Sequence, residues 1–334
     1  MKNFFGVIMM FIKNVEKPIT IALLEALIYR LKQPPPRLEA MLKGLNQGFR
    51  AERELLYYLE RARVFKEDVF LLHDLRLPAN GSTFFQIDFL LLTPLCAFIL
   101  EVKSQPHYFI FNPAANQFRL ENNAGNLVSG NDPIAQVEEQ VDQLRWWIAE
   151  YGINHYPIYG IAALANPRST VIAKSNPEQI HQKIMHFPYL KKRMKIIQTE
   201  DPKSKVSIPH LKRLAHALAN AHCPPRYNWC EYFEVNTKDI QPGVICPNCF
   251  RIGMQRKRYS WYCNSCHHIS KNAHHDAFRD FFSFFKPSIT NKEARWWLQL
   301  DNRFTTHAIL KNMNLESSGE TRGRVYYPNL QTRR

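Results

Sequence analysis

A strand that carries a carboxylate between large apolar side chains has to bring that charge to something that neutralises it, and the centre of this chain makes that demand twice. Residues 84–92, FFQIDFLLL, and 97–102, AFILEV, are apolar runs of strand length joined by Thr93-Pro94-Leu95-Cys96. A hairpin through the Pro94 turn brings Asp88 and Glu101 to one edge of a sheet. Alternate residues of a strand share a face, so Gln86 lies with Asp88 and Glu101 with Lys103, while Val102 points the other way. Paired carboxylates repel each other unless a cation intervenes. A hard divalent ion, Mg²⁺ or Mn²⁺, takes such oxygen ligands together with water and substrate phosphate. Lys103 beside it would orient or deprotonate an attacking water and stabilise charge developing on phosphorus. The competing reading is a strand-ending Asp88 and an ordinary Glu101–Lys103 surface ion pair. The apolar neighbours of both charges weigh against it.

The pattern around this hairpin is that of an α/β domain. Residues 18–32 read as a helix opened by Pro18 and stopped by Pro34, Pro35 and Pro36. A second helical pattern runs from Arg37 to Arg63, with Gly44 and Gly48 as candidate breaks. Strands follow at 69–72, 84–92 and 97–102, and a further strand pair at 107–111 and 117–120. A helix is expected at 133–150 and a buried strand at 158–165. The apolar start, 4–12, follows Lys2 but runs directly into Lys13-Asn14-Val15-Glu16-Lys17 without a small-residue cleavage site. It is read as a short element packed on the core or a peripheral membrane contact rather than a signal peptide. No stretch has the ~20 apolar residues of a membrane span.

Charge divides along the chain in the same way. The 334 residues carry a formal net charge of +15. Residues 51–166 account for −6 of it, against +5 for 1–50, +8 for 167–222 and +8 for 223–334. One acidic block between basic flanks suits a metal-dependent enzyme that acts on nucleic acid, although a high isoelectric point alone has no such implication. The seven cysteines are odd in number, and four of them form two C-x-x-C units. That usage points to a metal site in a reducing, cytoplasmic setting rather than to a disulfide framework.

The two units are Cys246-Pro247-Asn248-Cys249 and Cys263-Asn264-Ser265-Cys266. Their spacing is that of a four-cysteine zinc ribbon, a closed Zn²⁺ site that supplies folding energy and leaves no position open for catalysis. Between the knuckles, Arg251, Arg256, Lys257 and Arg258 alternate with Tyr259, Trp261 and Tyr262. That composition suits backbone contact and base stacking, and equally a solvated hairpin with core aromatics. Beyond the ribbon, helices at about 288–300 and 302–313 and a hairpin at 319–327 suggest a winged helix-turn-helix.

Four segments together resemble a known family. Gly48-Phe49-Arg50-Ala51-Glu52, Gln86-Ile87-Asp88, Phe98-Ile99-Leu100-Glu101-Val102-Lys103 and Asp132-Pro133-Ile134-Ala135-Gln136 look, in that order, like the motifs of the NERD (nuclease-related) domain. That family is placed with the PD-(D/E)XK nucleases. The resemblance covers about 48–166 and implies a restriction-endonuclease-like core, a mixed sheet flanked by helices. It implies Asp88 and Glu101 as ligands of Mg²⁺, Lys103 as the catalytic lysine, Glu52 as a further carboxylate of the metal shell, and Gln86 and Gln136 as residues lining the site. Cys96 stands where the family commonly has Gly, and Ser104-Gln105-Pro106 replaces the usual Asn after the lysine.

The expected organisation is an N-terminal helical segment (1–47), the nuclease-like domain (48–166), a basic helical connector (167–240), the zinc ribbon (241–270) and a helical, winged-helix-like domain (271–330). The expected function is Mg²⁺-dependent hydrolysis of phosphodiester bonds, with DNA as the partner. The alternatives are a catalytically silent nucleic-acid-binding protein and a protein-interaction module on the same fold.

Overall fold

Apolar strand sequences without strict alternation are buried on both faces, and the central strands here are of that kind. The structure, a computed structural model, describes residues 2–4, 7–62, 65, 67–79, 83–153, 155–200, 205–225 and 227–329. The expected limits at Arg63 and 330 lie outside the described residues. In chain order the elements are β1 (Lys2–Phe4), β2 (Val7–Lys13), α1 (Ile19–Arg30), α2 (Pro36–Ala62), β3 (Val69–Pro78), β4 (Phe84–Leu92), β5 (Ala97–Lys103), β6 (His107–Asn112) and β7 (Gln117–Asn122). They continue with α3 (Pro133–Ala149), β8 (Ile158–Leu164), β9 (Thr170–Ala173), α4 (Pro177–Lys183), β10 (Ile184–His186), α5 (Phe187–Glu200) and α6 (Ile208–Ala221). The remainder are α7 (Trp229–Tyr232), β11 (Gln255–Lys257), β12 (Ser260–Tyr262), β13 (Ile269–Ser270), α8 (Ala273–Phe284), β14 (Ile289–Thr290), α9 (Asn291–Leu298), α10 (Arg303–Asn312), β15 (Leu315–Ser318) and β16 (Val325–Pro328).

The chain is α/β and divides into two units, Met1–Lys17 with Asn46–Cys223, and Pro18–Leu45 with Pro224–Arg334. The first is built on a mixed seven-stranded sheet of order β1-β2-β3-β4-β5-β8-β10. β3, β4 and β5 form an antiparallel meander, and β8 and β10 add parallel to β5. Leu144 and Ile148 of α3 and Leu211, Leu214 and Leu218 of α6 cover one face, with Leu72, Leu90 and Ile99 beneath them. Leu55 and Leu59 of α2 and Leu190, Met194 and Ile197 of α5 cover the other, over Leu71, Phe89 and Leu100. The α3 contact is close: a Cβ on Gly160 of β8 would come within 2.9 Å of Val137 Cβ.

Several boundaries differ from those expected. The apolar start is strand β2, paired parallel to β3, so 1–47 is not one helical segment. Its strands join the first unit, and α1 belongs to the second. Residues 167–240 are not a connector either. β10 extends the sheet beyond β8, and α5 and α6 cover its two faces. Short apolar stretches such as Ile184-Met185 are too brief for periodicity to reveal. The strand pair 107–111 and 117–120 forms, but with β9 it makes a separate three-stranded sheet, β7-β6-β9. Helix α2 runs unbroken through Gly44 and Gly48. Two glycines cost about 1 kcal/mol each, and burial of Leu38, Ala51, Leu55 and Leu59 along the same helix outweighs that.

In the second unit the sulfurs of Cys246, Cys249, Cys263 and Cys266 lie within 4.8 Å of one another, at the base of the small sheet β11-β12-β13. The residue after each knuckle, Phe250 and His267, adopts a left-handed φ of 60° and 59°. Then α8, β14, α9, α10 and the β15–β16 hairpin follow, with sheet order β14-β16-β15, the topology of a winged helix. Thr290 and Glu293 form a reciprocal capping box at the start of α9. α8 and β14 were not foreseen in the sequence.

The buried guanidinium of Arg30, at the end of α1, ties this unit together. Its Nε and Nη2 donate to Asp280 Oδ2 at 3.1 and 2.9 Å, and Nη1 donates to the carbonyls of Gln241 and Gly243 at 3.0 Å each. The group also lies 4.1 Å over the Trp297 ring. Breaking a buried pair leaves an uncompensated charge, so Asp280→Ala is expected to cost about 3–5 kcal/mol. Denaturant unfolding followed by tryptophan fluorescence measures this loss.

Candidate active site

The N-terminus of α3 is fixed before the site is built. Asp132 caps it by accepting from Ile134 N at 2.8 Å and Ala135 N at 3.2 Å, with Pro133 in the first turn. Gln136 and Gln140 then stand one turn apart on the helix face that lies on β5. There they meet Glu101, which is only 6% exposed.

Glu101 is held by three donors. Lys103 Nζ donates to Oε1 at 2.8 Å, Gln136 Nε2 to Oε1 at 2.7 Å, and Gln140 Nε2 to Oε2 at 2.8 Å. Gln136 Oε1 in turn accepts from Lys103 Nζ at 2.7 Å. A carboxylate offers about four lone-pair sites, so one remains on Oε2. The lysine has spent two of its three protons and keeps one.

Asp88 lies opposite Glu101 where the β4–β5 ladder stops. The last paired residues are Phe89 and Leu100, and the next backbone amide, Val102 N, donates to Asp88 Oδ2 at 2.8 Å. Burial first, then the charges of Glu101 and Glu52, push the Asp88 carboxyl well above the usual carboxylate range. The Val102 amide and Lys103 oppose this and do not cancel it. Glu52 reaches this edge from α2, which covers the other face of the sheet. Its Oε2 is 2.7 Å from His73 Nε2, on β3. Asp88 Oδ1 and Glu52 Oε1 have no hydrogen-bond partner among the described residues.

Five of the six residues singled out in the sequence, Glu52, Asp88, Glu101, Lys103 and Gln136, therefore converge. Gln86 does not contribute its side chain. Its amide turns outward to donate to Asp74 Oδ1 at 2.7 Å, and its carbonyl accepts from Gln140 Nε2 at 2.8 Å. The backbone at Asp74 is left-handed, φ 49°, and the bend carries that carboxylate within reach of Gln86. Sequence reasoning missed Gln140 and His73. Gln140 was legible as the residue one helical turn after Gln136. His73 sits one position past the expected end of its strand, buried against Phe89 with ring centroids 5.0 Å apart.

Three carboxylates share the edge with one lysine, and burial, then the charges of Glu101 and Glu52, raise the Asp88 carboxyl. Carboxylates beside a lysine are the oxygen-donor chemistry that a hard divalent cation takes, although among the described residues only the four cysteines have ligand atoms that all lie within 4.8 Å of one another. The four-sulfur cluster fits a different ion. Cys246 and Cys266, and likewise Cys249 and Cys263, have sulfurs 3.6 Å apart, close to the ~3.8 Å expected for two sulfurs ~2.3 Å from one tetrahedral centre.

No helix among the described residues is long and apolar enough to cross a membrane. No curated protein and no solved structure matches the chain significantly. Residues 47–165, which contain all seven residues assembled at this sheet edge, match the NERD family, described as the nuclease-related domain.

Proposed function

We propose that the chain is a nuclease that hydrolyses phosphodiester bonds of DNA with Mg²⁺ or Mn²⁺. The observation that carries this reading is the fixed Glu101–Lys103–Gln136–Gln140 network facing a second carboxylate, Asp88, that is held above its usual range. A divalent ion bound by Asp88, Glu101 and Glu52 supplies the positive charge that an incoming phosphate requires. Glu101, gripped by three donors, cannot rotate, so Lys103 is aimed before substrate arrives. The remaining proton of Lys103 is available to a phosphoryl oxygen or to the attacking water. Gln136 keeps that direction by accepting from Lys103 while donating to Glu101. His73 restrains Glu52 at the far side.

The second unit supports the same reading. Zinc in the four-cysteine site would hold the β11–β12 hairpin, whose turn presents Tyr259, 86% exposed, beside Lys257 and Arg258. Such a tip suits stacking on a base with phosphate contact alongside.

Two outcomes test this. Purified protein is expected to cleave plasmid or linear DNA with added Mg²⁺ or Mn²⁺, and Lys103→Ala to lose about 10²-fold or more in rate. Cleavage that survives Lys103→Ala, or that is indifferent to chelator, contradicts the mechanism; binding without cleavage favours a silent nuclease fold. The second outcome concerns acidity. A carboxyl raised in the folded state binds its proton more tightly there than when unfolded. Stability of the metal-free protein should therefore fall as pH rises from about 4 through the folded pKa of Asp88, then level off. Thermal melts across pH should show this slope in the native protein and lack it in Asp88→Asn.

A further inference from the structure

Beside the candidate active site, the first unit has a cavity of about 760 Å³ between β9, β10, α4 and α5 that the chemistry above does not use. Its walls include His181, His186, Tyr189, Lys192 and Arg193, with Glu200 as the one carboxylate. We propose that this cavity is the binding groove for an unpaired nucleic-acid strand on one side of the scissile phosphate. In it a base stacks on Tyr189, and Lys192, Arg193 and His186 take backbone phosphates. The inference rests on the nuclease reading and assigns its substrate class.

Sheet register connects the cavity to the site. Lys103 pairs with Leu164 and Leu164 with His186 in successive parallel ladders, so the three residues stand in line across β5, β8 and β10 and face the same way. At ~4.8 Å per strand, His186 is about 10 Å from Lys103 along the sheet edge. The wall is also joined to the catalytic loop, because Ser169 Oγ donates to the carbonyl of Gln105, two residues after Lys103, at 3.1 Å.

Two polar groups at the cavity wall lack partners. His186 Nε2 and Arg193 Nε are buried without a hydrogen-bond partner among the described residues, an arrangement that a ligand acceptor would complete. Arg193 Nη2 donates to Gln182 Oε1 at 3.2 Å, which holds the guanidinium at the cavity wall. Tyr189 is 63% exposed on the same helix, whose sequence YLKKRMK interleaves it with four cations. An exposed aromatic among cations is a stacking platform for single strands. A concave site within the ~300–1,000 Å³ range of ligand pockets receives a splayed nucleotide more readily than the outside of a duplex.

The test is fluorescence anisotropy with a labelled single-stranded DNA oligonucleotide and its duplex, without added Mg²⁺, alongside cleavage of the same DNAs with Mg²⁺. Tyr189 and Lys192 are exposed, so their replacement removes no core contact. Tyr189→Ala is expected to weaken single-strand binding about tenfold. Lys192→Ala should weaken it and lower the slope of log affinity against log salt by ~0.7. If the native protein binds and cleaves DNA while both variants match it, the groove is wrong and the nuclease reading stands. If the variants lose duplex binding but keep single-strand binding, the assignment to an unpaired strand is overturned. If the native protein neither binds nor cleaves, the nuclease reading itself fails.

Discussion

Glu101 is the charge around which the first unit is arranged. It enters the sheet after Phe98-Ile99-Leu100, all fully buried, and at that depth an ionised carboxylate without partners is prohibitively costly. The chain meets the cost with one ammonium and two amides, which requires β5 and α3 to be placed to within a few tenths of an ångström. That requirement reaches outward. It calls for the Asp132 cap that fixes the start of α3, and for Gly160, which lets α3 lie close on β8. Asp88, drawn into the same edge by Val102 N, receives no such compensation. Glu101 thus has three side-chain donors and Asp88 one backbone amide, an imbalance on which the proposed cation site rests.

Much of this was legible because the features were local. Strand alternation placed Asp88 and Glu101 on a common edge and Glu101 with Lys103 on a common face, and the spacing of the cysteine pairs predicted their clustering. What escaped notice depended on distant partners. Gln86 belongs to the right motif and strand, but a left-handed residue on the neighbouring strand, Asp74, carries a carboxylate that takes its amide. His73 had no pattern of its own, since a single histidine in an apolar strand has no period. The segment 167–222 read as basic and helical because its charges are on exposed helix faces, while the short strand β10 that seats it on the sheet is too brief to signal.

The division of the chain into units shows the same limit. Helix α1 was legible from the prolines that open and stop it, but nothing near it in sequence states that it packs with α8 and the ribbon. The determining contact is Arg30 with Asp280, 250 positions away. A buried guanidinium satisfied by a carboxylate, two carbonyls and an indole face fixes one arrangement among many that hydrophobic burial alone would permit. Within the acidic block, Glu52, Asp88 and Glu101 lie at the sheet edge, while Lys192 and Arg193 of the basic segment line the cavity of the same unit.

The proposed function requires the edge formed by Asp88, Glu101 and Glu52 to hold a divalent ion. Electron paramagnetic resonance of Mn²⁺ titrated into the zinc-loaded protein tests it directly, because bound Mn²⁺ leaves the sharp spectrum of the free ion. One site is expected to deplete the free signal in the native protein and to be lost in Asp88→Asn. Equal depletion by the two proteins, or none in either, would contradict it.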